Sequence, residues 1–142
     1  MPPRLFFKHI LPYYKNYVQT LKKKGVFVMR HTDGNILPII DGFIEAGLDI
    51  LHPIEPVMDI GLVKEKYGDK LCLCGHIDCV QTLVFGTPED VVKEVKQAIR
   101  KAAPGGGYIL GSSNSLHSSC KIENILAMFE AGKKYGSYPI RD

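Results

Sequence analysis

Hydrophobic and polar positions along this chain switch repeatedly between two periods. Short apolar, β-rich runs occur at residues 26–29, 48–51, 71–74 and 108–110. Each is followed by a polar cluster and then by apolar residues at helical spacing. The first helical pattern is Ile36, Leu37, Ile39, Ile40, Phe43 and Ile44, stopped by Gly47. The second is short, at residues 59–67, and ends at Gly68. The third has the clearest start signal in the chain: Thr87 as cap, Pro88 in the first helical position, and Glu89 and Asp90 at the positive end of the dipole. Val91, Val92, Val95, Ala98 and Ile99 then recur along one face. The fourth spans residues 122–135, and an amphipathic segment at residues 10–24 precedes the whole series.

Strands alternating with helices predict a parallel α/β sheet, because parallel strands need a crossover connection. Four βα units fit either a small open doubly wound sheet or half of a (βα)8 barrel. A barrel typically takes roughly 250 residues, and this chain has 142. Four strands alone leave two unpaired edges. The expectation is therefore a single partial domain over residues 1–142, closed by a separate half-barrel chain, by a second copy in a homodimer, or by the rest of a longer protein.

Composition narrows the class without naming a function. At 45% hydrophobic residues the chain can form a real core. A net charge of +3 is too small to point to nucleic acid, and the densest basic run, residues 22–24, ends a helix, where it offsets the dipole. No apolar run approaches the roughly 20 residues of a membrane span, and no secretory signal is visible. The four cysteines do not form a secreted framework, so reduced thiols and a cytoplasmic location are expected.

In parallel α/β folds the chemistry collects at the carboxyl ends of the strands. The polar clusters of this chain fall there. After the first run, His31 and Asp33 stand two residues apart, the spacing that points both side chains the same way. Imidazole and carboxylate together can ligate zinc or act as a base with its orienting acid, while the same residues also suit a plain turn. Asn35 can cap the next helix. After the second run, Glu55 sits between Pro53 and Pro56, which stiffen the backbone around it. After the third come His76, Asp78 and Cys79. After the fourth, a serine-rich loop holds Asn114, His117 and Cys120, where a third metal ligand or a substrate clamp would sit. Cys72 and Cys74 read as small core residues. The glycine run at residues 105–107 precedes a strand instead of opening a helix, so it reads as a turn and not a phosphate cradle. No GxSxG elbow is present.

Several stretches resemble the uroporphyrinogen decarboxylase superfamily, which includes cobalamin-linked methyltransferases. They are HTDGN from His31, IEP from Ile54, LVKEKYG from Leu62, CGHID from Cys74, GTPEDV from Gly86, GGGYIL from Gly105, ENILAM from Glu123 and YGSYP from Tyr135. The resemblance implies a TIM-type (βα)8 barrel of which this chain is the C-terminal half. It implies methyl transfer involving a corrinoid on a partner protein, or cofactor-free decarboxylation of a porphyrinogen, or a non-catalytic partner subunit. Zinc-dependent methyltransferases of the family carry His-x-Cys-Gly at this strand end and a later cysteine. Here Asp33 stands in the cysteine position. Aligning on Glu123 and Asn124 puts the later cysteine near Ser115, whereas Cys120 lies several residues on. On this resemblance His31, Asp33 and Cys120 are the expected metal ligands. Asp33, Glu55 and Asp78 are the expected catalytic carboxylates, and Asn35, His76, Asn114 and His117 are expected to meet substrate. Porphyrinogen carboxylates call for arginines, and the chain has only Arg4, Arg30, Arg100 and Arg141, with Arg30 alone near the expected mouth.

Overall fold

The structure is a computed structural model and describes residues 1–140. Four parallel strands form one sheet in the order β1 (Met29–His31), β2 (Ile50–His52), β3 (Cys72–Ile77) and β4 (Tyr108–Ser112). This order decides between the two architectures. A doubly wound sheet reverses its strand order at a switch point. Sequential parallel strands with right-handed crossovers keep winding one way and place every helix on one face. The result is half of a (βα)8 barrel.

A helical arm precedes β1. It runs through Pro3–Leu5, a π-helical stretch at Phe6–Ile10 and the helix Leu11–Lys22. The later helices are Ile40–Ala46, Ile60–Tyr67, Pro88–Ala102 and Ile122–Tyr135, with a single turn at Thr82–Phe85. Their ends follow local chemistry. Gly47 closes Ile40–Ala46 in the left-handed conformation, with φ 89°. The Asp59 carboxylate accepts the Gly61 N–H at 2.8 Å and opens the next helix. Thr87 and Asp90 form a reciprocal capping box.

Two apolar clusters lie between sheet and helices. One joins Val28, Leu51 and Leu73 to Phe6, Val18, Ile40, Phe43 and Val63. The other joins Ile77 to Leu83, Val91, Val95, Ile99 and Met128. Register assigns the faces. Arg30 pairs with Leu51 and Leu51 with Leu73, so these three point toward the helices. Met29 and Ile109 are 49% and 42% exposed. Among the described residues no helix covers the sheet on their side.

The first three strands sit later in sequence than the apolar runs predicted; β2 is Ile50–His52 against 48–51, and the larger shifts are in β1 and β3. β1 is Met29–His31 and not 26–29. The backbone of Val28 is taken up outside the ladder, its N–H by Asp49 Oδ2 at 2.8 Å and its carbonyl by the Asp49 and Ile50 N–H groups. β3 runs on to Ile77, through residues expected in a loop, because β4 pairs with it as far as Ile77 opposite Ser112. Both shifts move polar side chains from loops onto strand ends, where backbone pairing holds them.

Candidate functional site

Register brings the first two polar clusters together. His31 and His52 are paired positions at the ends of β1 and β2. Their Nδ1 atoms are 2.8 Å apart, and the ring centroids are 4.9 Å apart with a 38° tilt. The other nitrogen of His31, Nε2, lies 3.3 Å from Asp33 Oδ1. The same oxygen accepts a 2.9 Å hydrogen bond from Asn114 Nδ2, reaching over from the loop after β4. Glu55 joins from the loop after β2, its Oε2 accepting the Gly34 N–H at 3.1 Å. The mouth thus gathers His31, Asp33, His52, Glu55 and Asn114 from three of the four strand ends. Burial lowers the His52 pKa below the ordinary histidine value. His31 lowers it further, and Asp33 works in the opposite direction.

The other expected site residues are used differently. Asp78 Oδ1 accepts the Val80 and Gln81 N–H groups at 2.7 and 2.9 Å, which opens the turn Thr82–Phe85, and its own N–H goes to Glu94. Asn35 Oδ1 accepts from the Leu37 N–H at 3.2 Å. His76 lies within β3 at φ 94°, its Nδ1 3.0 Å from the Ile54 carbonyl. Burial dominates its pKa, lowering it against the opposing effect of that hydrogen bond. His117 Nε2 donates to the Cys79 carbonyl at 3.0 Å. Cys120 is buried and directs its thiol at the same carbonyl. Cys79, Ser113 and Cys120 therefore form a second, inward polar knot, and the exposed His117 ties to it from outside. Asp78 also lines a small cavity of about 280 Å³ at the mouth, together with Glu55, Val57, Val80 and Asn114. A larger groove of about 540 Å³ lies away from these groups, between β4 and the helix Ile122–Tyr135.

A zinc site built from His31, Asp33 and Cys120 needs three donors converging on one point. His31 turns its two nitrogens to opposite partners, and the Cys120 thiol belongs to the inward knot. Among the described residues, no group of three His, Cys, Asp or Glu side chains is assembled to hold a metal ion. The residues present do not fit a three-ligand zinc centre. Cys74 does not offer a thiolate either, since burial pushes its pKa up to about 11, with Cys72 adding to the shift.

Sequence reasoning missed His52. The signal was available: His52 follows its apolar run as His31 follows the first, and a parallel register aligns the two strand ends. Placing both strands too early hid the match.

The profile of the uroporphyrinogen decarboxylase (URO-D) family matches residues 1–135. The chain belongs to this family. It is 27% identical over 120 residues to the uroporphyrinogen decarboxylase of Shewanella halifaxensis, covering 75% of this chain and 33% of that protein. To the uroporphyrinogen decarboxylase of Trichodesmium erythraeum it is 26% identical over 140 residues, covering 96% of this chain and 38% of that one. A methyltransferase from Methanosarcina mazei shares the fold at TM-score 0.82 and 20% identity, with 96% of this chain and 39% of that chain superposed. The chain thus spans about a third of the length of the curated relatives it matches. No helix among the described residues is long and apolar enough to cross a membrane.

Proposed function

We propose that this chain is the C-terminal half of an enzyme active site of the URO-D superfamily. It acts in methyl transfer on a small methylated compound once a second four-strand half closes the barrel. The observation that carries this reading is the charge of the mouth. Asp33, Glu55 and Asp78 stand in its loops. Among the described residues those loops hold one lysine or arginine of their own, Lys121, which donates to the Gly86 carbonyl at 3.0 Å, while Lys101 reaches in from its helix to pair with Asp59. The Arg30 guanidinium lies 5.5 Å over the Tyr14 ring, on the helix side of the sheet. Arg4 and Arg100 belong to helices, and Arg141 lies outside the described residues. A substrate rich in carboxylates would meet anionic oxygens in this half and no guanidinium to pair with.

In this reading Glu55 and Asn114 orient the substrate, and the imidazole–carboxylate cluster of His31, Asp33 and His52 exchanges a proton with the heteroatom that loses the methyl group. A corrinoid carried by a partner protein would supply the methyl acceptor. The completing half is a separate chain, the remainder of a longer protein, or a second copy. The unpaired edges of β1 and β4 are where it would join.

Decarboxylation is the second reading, favoured by the names of the curated relatives. It requires the completing half to bring the arginines. Assaying the completed barrel with methoxylated and methylated-amine compounds plus cob(I)alamin, and separately with uroporphyrinogen, separates the two. Methyl transfer that falls by about tenfold or more in Asp33→Asn and Glu55→Gln supports the proposal. Uroporphyrinogen turnover without methyl transfer overturns it.

A further inference from the structure

We infer that His52 is the partner of His31 at the strand ends, and that these ends carry a polar chain running Asn114, Asp33, His31, His52, joined by hydrogen bonds at its two ends and by the His31–Asp33 ion-pair contact between them, in place of a zinc centre. The inference holds for methyl transfer and decarboxylation alike.

The direction of each hydrogen bond follows from the chemistry of the groups. An ionised carboxylate only accepts. Asp33 Oδ1 takes one hydrogen from the Asn114 amide at 2.9 Å and lies 3.3 Å from His31 Nε2, an ion-pair contact that favours the ring proton on Nε2. A neutral imidazole with its proton on Nε2 has a bare Nδ1. With His31 neutral, His52 Nδ1, 2.8 Å away, is then the donor. That leaves Nε2 of His52 with a free lone pair and no partner among the described residues. His52 Nε2 is therefore the acceptor that the strand ends offer to an N–H or O–H of the substrate.

The same accounting closes the site to zinc. A metal takes the bare nitrogen of a neutral imidazole. The bare nitrogen of His31 is already filled by the His52 proton, and its other nitrogen is protonated toward Asp33. His52 thus does two things. It donates to the bare nitrogen of His31, and it occupies the position a metal would need.

Two-bond ¹H–¹⁵N correlation spectra of the full ¹⁵N-labelled chain read the tautomer of each histidine directly. The expected result is a single Nε2–H tautomer for His31 and Nδ1–H for His52, both unchanged by equimolar zinc. His52→Asn keeps an amide donor and preserves the His31 tautomer. His52→Ala removes the donor, and the His31 Nδ1 resonance moves downfield as its accepted hydrogen bond is lost. Thermal melts of both variants report whether they fold, and the wild-type spectrum tests the assignment whether or not they do. A wild-type His31 protonated on Nδ1 overturns the inference. So does stoichiometric zinc uptake that shifts both rings, or a folded His52→Ala protein with an unchanged His31.

Discussion

Asn124 is fully buried at the start of the last helix and ties that helix to the turn following β3. Its Nδ2 lies 3.2, 3.3 and 3.0 Å from the carbonyls of Thr82, Leu83 and Gly86. The amide has two hydrogens, so these three contacts amount to two good hydrogen bonds. At about 0.5–1.5 kcal/mol each, Asn124→Ala should cost roughly 1–3 kcal/mol. The larger penalty for orphaned buried carbonyls does not apply. Gly86 N–H also donates to Thr82, Lys121 N–H to Leu83, and Lys121 Nζ to Gly86. With an unfolding entropy of about 0.3 kcal/mol/K for a chain of this size, a loss near 2 kcal/mol lowers the melting temperature by about 7 °C.

Asn124→Asp keeps the shape and replaces the donor nitrogen with an oxygen of an ionised carboxylate facing three carbonyls. It should be worse than alanine at neutral pH, by roughly 1–3 kcal/mol more. Burial raises the folded-state pKa of such a carboxyl. Its protonated form, which regains one donor, stabilises fully below the unfolded value of about 3.9, and that stability is lost as pH rises through the raised folded value. Thermal and urea melts of the two variants across pH make the test. An Asn124→Asp protein as stable as wild type at neutral pH would refute the donor accounting, as would a variant more stable at neutral than at mildly acidic pH.

His76 is held with a lowered pKa, chiefly by burial, so the unfolded chain takes up its proton first. Stability is retained above the unfolded value of about 6.5 and falls as pH drops from there toward the folded value. His76→Asn should flatten that acid-side slope in urea midpoints, and an unchanged slope would remove His76 as its source. Gly75 sits at φ 102°, and a Cβ there would meet Pro53 Cβ at 3.0 Å and the Ser112 carbonyl at 3.1 Å. Gly75→Ala should cost roughly 2–3 kcal/mol in chemical denaturation, and a loss under about 0.5 kcal/mol would show that the strand relaxes freely.

Much of the architecture was legible because local chemistry specifies it. The capping box at Thr87, the stop at Gly47 and the helical spacing of Val91, Val95 and Ile99 need no distant partner. Their elements lie where the pattern predicts. The strand limits were less legible, because pairing decides them. Gly75, His76 and Ile77 lie beyond the apolar run, and β3 includes them because β4 runs alongside. The candidate site divides in the same way. Asp33 and His31 meet through local spacing, whereas Asn114 reaches Asp33 across a separation of 81 residues.

By itself, then, the sequence determined four βα units, polar residues at their carboxyl ends and membership of a barrel family. Periodicity, capping and turn chemistry act over a few residues, and family motifs are read directly. Only the tertiary structure decided that the strands run in sequential order with one face bare, and that His52 is the partner of His31. It alone placed Cys120 in the inward knot, away from the mouth. Those outcomes depend on register between strands and on the direction in which each side chain leaves the sheet, and a linear pattern does not carry either.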